Sequence, residues 1–175
     1  MRYLLVDTAN TFFRARHSAF RASDTWEKVG FALHVTLASI NKAHRDQKAD
    51  HVIFCLEGRS WRKDFYEPYK KNRTVARQAL TDKEAEEDKA FWESFDAMNT
   101  FIKEGTNCTT LQHKELEADD LIATYVDKIL KKGAKVTIVS SDKDLMQLYK
   151  KGVRIFDPMK NKFISDEDIF TKFGV

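Results

Sequence analysis

Lys135-Val136-Thr137-Ile138-Val139-Ser140-Ser141-Asp142-Lys143-Asp144 decides the fold when read with the earlier run Glu117-Ala118-Asp119-Asp120. The β-branched run from Lys135 to Ser140 reads as a buried strand, and it feeds directly into two carboxylates. The earlier acidic run opens a segment in which Leu121, Ile122, Tyr125, Val126, Ile129 and Leu130 recur with helical spacing, giving one buried face. Five carboxylates thus fall in two short runs, each where irregular chain or strand gives way to helix. Acids at a helix start cap free N–H groups and favour the macrodipole, which accounts for either run taken alone. Brought together, they repel and raise one another's pKa values unless something neutralises them. Hard divalent cations such as Mg²⁺ are the usual neutraliser, because they prefer carboxylate and water oxygens.

The same pattern recurs elsewhere in the chain. Tyr3-Leu4-Leu5-Val6 is a short strand ending on Asp7, and Thr8-Ala9-Asn10 leads into a helix carrying Phe12, Phe13, Ala15, Arg16 and Phe20. Val29, Leu33, Leu37 and Ile40 mark a second amphipathic helix from Lys28 to about Arg45. His51 to Leu56 is the next strand, followed by Glu57. Thr109 to Gln112 and Val153 to Phe156 read as further strands, Lys143 to about Lys150 as a helix, and Asp166 to Phe173 as a last short helix. Alternating strands and helices predict an α/β fold, a mostly parallel twisted sheet flanked by helices. Ligands of such sheets bind outside the carboxyl ends of the strands, so Asp7, Glu57 and Asp142 converge on one edge.

Between Arg59 and Arg77 the character changes. Arg59, Arg62, Lys63, Lys70, Lys71, Arg73 and Arg77 outnumber Asp64 and Glu67, with Trp61, Phe65, Tyr66 and Tyr69 interleaved. A short basic run alone is commonly a solvated face. Beside a carboxylate cluster, basic residues with aromatics suit a phosphate backbone and stacked bases. From Asp82 to Asp96 seven acids face Lys83 and Lys89, while Phe91, Trp92, Phe95, Met98 and Ile102 form a helical stripe. The stripe reads as core and the acids as its solvated side and first turn.

A chain of 175 residues is one domain's length, and two prolines and six glycines leave no room for a low-complexity linker. Nothing is apolar over enough residues to serve as a signal peptide or span a membrane. Two cysteines, Cys55 and Cys108, point to a reduced, cytoplasmic setting, with a disulfide between them left open. The five histidines show no zinc-type spacing with cysteine.

Four segments, in order, resemble the 5′-nuclease family of flap endonucleases, phage 5′-3′ exonucleases and the 5′-nuclease domain of bacterial DNA polymerase I. They are Leu4-Leu5-Val6-Asp7, the run from Trp61 to Arg73, Glu117-Ala118-Asp119-Asp120, and Ser141-Asp142-Lys143-Asp144-Leu145. The resemblance covers essentially the whole chain. It implies a PIN-like metal-site domain over residues 1–175, with a basic, helical arch or cap region over about 59–104. It also implies Mg²⁺ or Mn²⁺, two ions in the complete site. Asp7, Glu57, Glu117 and Asp119 are expected around one ion, with Asp120, Asp142 and Asp144 nearer the other. Lys70 and Arg73 match the family's basic pair at the scissile phosphate, and Arg59, Arg62, Lys63, Tyr69, Lys71 and Arg77 are expected to contact nucleic acid, Tyr69 by stacking.

Two departures stand out. Glu57 replaces the family's usual aspartate, and the helix-hairpin-helix segment that follows in the family is expected to be absent, the chain being either a fragment or a naturally short protein whose missing segment a partner chain could carry. The function implied is metal-dependent phosphodiester hydrolysis on a 5′ flap, nicked or branched DNA, or an RNA primer on DNA, in a bacterial or phage-infected cell. A single-strand ribonuclease built on the same metal-site fold would need the same acidic cluster. A non-catalytic DNA-binding subunit, its truncated metal site no longer supporting turnover without a partner chain, is the other alternative.

Overall fold

The computed structural model describes residues 1–19, 22–59, 62–66 and 70–175; the side chains of Lys63, Phe65 and Thr74 lie outside the description. Phe20, Trp61 and Tyr69, singled out above, lie outside the described residues.

Six strands form one sheet in the order β3-β2-β1-β4-β5-β6. They are β1 (Arg2–Asp7), β2 (His51–Cys55), β3 (Thr109–Leu111), β4 (Lys135–Val139), β5 (Val153–Asp157) and β6 (Lys162–Phe163). The first five are mutually parallel; β6 pairs antiparallel with β5 through Phe156–Phe163 and Asp157–Lys162. β1 lies at the centre, with Leu5 facing Ile53 of β2 on one side and Ile138 of β4 on the other. Helices cover both faces, which is why Leu4, Leu5 and Val6 are fully buried and read as an unbroken apolar run. Chain progression reverses between β1 and β4, and that switch point opens a crevice at the carboxyl edge.

One face is packed by α1 (Thr8–Ser18), α2 (Thr25–Gln47) and α5 (Asp82–Gly105). Its core joins Leu4, Val6, Phe54 and Phe156 of the sheet to Phe12, Phe91, Phe95 and Met98 of the helices. Phe12 meets Phe95 at 5.4 Å between ring centres, an arrangement that adds about 0.5–1.5 kcal/mol beyond burial. The opposite face belongs to α6 (Ala118–Lys131), whose Ile122 and Val126 pack on Leu5, Ile53 and Ile138. The remaining helices are the single turn α3 (Arg62–Phe65), α4 (Lys71–Gln78) and α7 (Asp166–Phe173). The helix expected from Lys143 to about Lys150 is present as a 3₁₀ helix over Lys143–Leu148.

Local chemistry sets the helix starts. Asp24 Oδ2 accepts from Trp26 N at 3.0 Å and Glu27 N at 3.2 Å, which starts α2 three residues before the expected Lys28. Thr81 and Glu84 cap α5 reciprocally. The acids of α5 are not all solvated, contrary to the sequence reading. Arg16 reaches Asp88 at 2.8 Å and Lys28 reaches Glu87 at 2.9 Å, so partly buried ion pairs tie α1, α2 and α5 together. β6 escaped the sequence reading because two residues carry no period. Both cysteines are free. Among the described residues no helix is long and apolar enough to cross a membrane.

The segment after β2 is sewn to the one after β3 by Leu56 N to Leu111 O, Gly58 N to Leu116 O and Arg59 N to Lys114 O, each 2.8 Å. Gly58 has to be glycine, since a Cβ there would lie 1.8 Å from His113 O and 2.6 Å from Leu116 O. Both neighbours are backbone and cannot swing aside. Gly58→Ala should therefore cost about 1–3 kcal/mol, the usual range for forced overpacking, measured as a lower midpoint in urea.

Candidate metal centre

Each strand end delivers an acid to the crevice. Asp7 closes β1 at 1% exposure, and its side chain does not cap the helix that begins at Thr8. It turns into the crevice, where Ser140 Oγ donates to its Oδ2 at 2.8 Å. Ser140 Oγ also accepts from Asp142 N at 3.0 Å, so one hydroxyl sets the relation between two carboxylates. Asn10 Oδ1 accepts from Ser141 N at 3.1 Å and fixes the same turn from α1. Asp157, at the end of β5, accepts from Ser141 Oγ at 2.7 Å and from Met159 N at 2.9 Å. Asn10, Ser140, Ser141 and Asp157 are additions to the expected site. Asp157 carried the signal used for Asp7, a strand ending on an acid; the others carried none.

Carboxylate oxygens of Asp7, Asp119 and Asp142 all lie within 4.8 Å of one another. This triad cuts across the expected partition, which placed Asp142 with Asp120 and Asp144 and away from Asp7 and Asp119. The reason is register. Asp7 ends β1 and Asp142 follows the adjacent β4, while Asp119 sits in the first turn of α6 above them. Asp120, one residue on, points elsewhere. Its Oδ2 accepts from Glu117 N at 3.1 Å, and the Arg62 guanidinium grips it through Nη2 to Oδ1 at 2.8 Å. Asp144 is exposed, and its backbone N–H is capped by Asp142 Oδ1 at 2.9 Å.

Glu57 is exposed as a residue, but its carboxylate turns inward and its Oε2 accepts from Ala118 N at 3.1 Å. Glu117 is buried between two cations, accepting from Arg62 Nη1 at 2.7 Å and from the Lys70 ammonium. Arg62, expected on nucleic acid, here holds both acids at the start of α6. Arg59 pairs with Asp64 at 2.5 Å, and Arg77 lies over the Trp92 ring at 5.0 Å. Arg73 and Lys71 are exposed on α4, and the Lys63 side chain and Tyr69 lie outside the described residues.

The triad differs electrically from Glu117 and Asp120. Among the described residues no lysine or arginine forms an ion pair with Asp7, Asp119 or Asp142. Burial, then the charges of Asp119, Glu57 and Asp142, push the Asp7 carboxyl up to about 8 against the pull of Ser140. Burial and the charge of Asp142 raise Asp119 to about 6. Burial also raises Glu57, opposed by its bond from Ala118 and by Lys70. Cys55, buried beneath Asp7, is pushed up to about 12 and stays a thiol.

Asp7 Oδ1 is buried without a hydrogen-bond partner among the described residues. A buried carboxylate oxygen left so costs on the order of 1–3 kcal/mol or more. Metal–oxygen bonds of about 2.0–2.6 Å span separations of this size, so the donor set fits a hard divalent cation.

In the metal-free protein this predicts an inverted pH dependence. Between about pH 4 and pH 8 folded Asp7 keeps a proton that the unfolded chain has released, so stability falls as pH rises through that window. Asp7→Asn keeps an acceptor for Ser140 and removes the titration. In EDTA its melting temperature should exceed that of the parent above pH 7 and fall less steeply with pH. Parallel profiles for the two proteins would contradict the electrostatic picture.

Residues 2–174 match the model of the 5′-3′ exonuclease N-terminal, resolvase-like domain. A DNA polymerase I from Rhizobium leguminosarum is 40% identical over 127 residues, covering 71% of this chain and 11% of that protein. Flap endonuclease Xni from Aliivibrio fischeri is 27% identical over 177 residues, covering 99% of this chain and 62% of that protein. The T5 5′-exonuclease with zinc ions bound superposes with a TM-score of 0.82 at 22% identity, covering 100% of this chain and 62% of that one. A bacteriophage T5 D15 flap endonuclease solved as a pseudo-enzyme-product complex with DNA and metal ions superposes at 0.78, covering 100% and 61% at the same identity. The chain thus spans less than two thirds of the length of these relatives. Across its own length, it belongs to the family of the 5′-3′ exonuclease N-terminal domain.

Proposed function

We propose that this chain is the metal-site domain of a 5′-nuclease that hydrolyses phosphodiester bonds of DNA. Its substrates would be a 5′ flap, a nicked or branched duplex, or an RNA primer on DNA. The observation that carries the reading is the triad: three carboxylates at the switch point of the sheet, one with a buried oxygen that no described residue satisfies.

Mg²⁺ or Mn²⁺, two ions in the complete site, would supply the charge that activates water and steadies the attacking and leaving oxygens. Asp7, Asp119 and Asp142 would hold the first, with Glu57 and Glu117 close enough for their charges to act on Asp119, and Asp144 would serve the second. Lys70 sits on Glu117, and the charge of Arg73 reaches Glu57, so both cations border the acidic crevice. A scissile phosphate entering there would take Lys70 and Arg73 as partners for the charge that develops in the transition state. The Lys70 backbone is left-handed, with φ 57°, a conformation that costs a non-glycine residue on the order of 1 kcal/mol or more and clusters at functional sites. Arg62 would keep Glu117 and Asp120 in place, a duty its planar fork suits better than lysine would. Arg59, Lys63, Lys71 and Arg77 would track the phosphate backbone, and Tyr69 would stack on an unpaired base.

Cleavage of a 5′-flap duplex should require Mg²⁺ or Mn²⁺ and be abolished by EDTA. Asp142→Asn should remove it and shrink the thermal stabilisation that the metal confers, since a ligand bound only by the folded state stabilises by mass action. Lys70→Ala should lower the single-turnover rate at saturating protein by roughly 10²–10³, with a much smaller effect on DNA affinity. Cleavage that survives EDTA, or a full metal-induced shift in Asp142→Asn, would defeat the proposal.

A further inference from the structure

The sheet has a second open end, opposite the carboxylates. There a cleft of about 650 Å³ lies over the amino ends of β1, β4 and β5, flanked by the end of α2 and the start of α7. Its position follows from strand alternation. Arg2 and Lys135 are paired across β1 and β4, and Thr137 is paired with Arg154 across β4 and β5. Thr137 and Arg154 lie on the same face as Val139 and Phe156, two residues further along their strands. Near the carboxyl edge that face is apolar and covered by helices; near the amino edge it is polar and open.

The charges in this cleft are unevenly satisfied. Of its acids, Asp46 is paired with Lys42 at 2.8 Å, and Asp166 lies near Tyr149, where it raises the pKa of the hydroxyl. Of its cations, Lys150 is paired with Asp127 at 3.0 Å, and Arg2 Nη1 donates to the Gln47 carbonyl at 3.0 Å. Lys135, Lys151 and Arg154 have no ion pair among the described residues, and all three are exposed at the rim. The floor is polar: buried Thr137 Oγ1 donates to Gln47 Oε1 at 3.4 Å. Gly152, at φ +88°, lets the loop carrying Lys151 turn sharply into β5, and a Cβ there would press on Leu130 Cδ2 at 2.9 Å. The loop's path is therefore set by the packing of α6 beneath it.

We propose that this cleft is a second phosphate-binding site, one that takes the backbone of a nucleic-acid strand away from the cleavage centre. The inference rests on the nuclease reading for the presence of that strand. Phosphate is the chemistry that unpaired, exposed lysine and arginine around a polar floor would recognise. An extended strand suits the cleft better than a lone phosphate. Its cations are spread along an open rim, on three different strands and loops, and do not converge on one enclosed point. A five-residue strand of about 3.3 Å per residue puts the cleft roughly 16 Å from the carboxylates, so the two sites are separate.

The test is DNA binding by anisotropy in EDTA across a salt series. Lys135→Glu, Lys151→Glu and Arg154→Glu would be combined, and Lys128→Glu, Lys131→Glu and Lys132→Glu at the C-terminal end of α6 would serve as the charge-matched control. All these residues are exposed, so equal melting temperatures should certify the fold. The cleft variant should lose about tenfold or more in affinity at low salt, and its salt dependence should flatten by about one unit of slope per phosphate contact removed. The control should change far less. Unchanged affinity in the cleft variant, or an equal loss in the control, would overturn the proposal. Pyrophosphate and deoxyadenosine monophosphate form a second arm: if they bind the parent in a cleft-dependent way while DNA affinity does not respond, the site is one for small anions and the strand reading fails. A parent protein that binds no DNA at any salt would instead defeat the nuclease reading itself.

Discussion

Asp7 places a carboxylate at the end of a strand whose last four residues are buried. Leu4, Leu5 and Val6 have no exposed side, and the next residue cannot retreat to solvent without pulling the central strand out of the sheet. Its charge must be managed where it stands. Ser140 satisfies one oxygen, and the other is left to whatever the crevice holds. The surrounding turns answer to this arrangement: Asn10 fixes the Ser141 backbone, Asp157 fixes the Ser141 hydroxyl, and the resulting turn presents Asp142 toward Asp7. Folding energy from two apolar faces supports a centre that is unfavourable by itself. Strained, electrostatically costly sites of this kind are what a prepared ligand position looks like before the ligand is considered.

The acids along this edge are neutralised in two ways. Glu117 and Asp120 are met by fixed cations, Arg62 and Lys70, that arrive from the segment between β2 and α4. Among the described residues, Asp7, Asp119 and Asp142 receive no such cation. The first turn of α6 is where the two regimes meet, with Glu117 and Asp120 turned to the arginine and Asp119 turned to the strands. Consecutive residues on a helix point about 100° apart, so one turn can serve both. The ion pairs thus do more than balance charge, since they set which acid of the run faces the crevice. The opposite edge of the sheet carries the reverse polarity, with lysine and arginine at the strand starts.

Much of this was legible in the chain itself. Unbroken apolar runs ending on an acid mark parallel strands buried on both faces, and they located β1, β2 and β4 and the edge where Asp7, Glu57 and Asp142 gather. Helical spacing located α2, α5 and α6. Strand ends and helix periods are local properties, written in neighbouring residues, so sequence alone decided the fold class, the acidic edge and the family resemblance. What it could not decide was which oxygens meet. The pairing of Asp142 with Asp7 and Asp119, the diversion of Asp120 and Arg62 to each other, the turn held by Asn10, Ser140 and Asp157, and the glycine demanded at Gly58 all depend on register between distant strands. A basic run looks the same in sequence whether its arginine faces solvent or a buried carboxylate. Only the tertiary structure distinguishes them, because hydrogen bonds and charge interactions act over a few ångströms of space and take no account of separation along the chain.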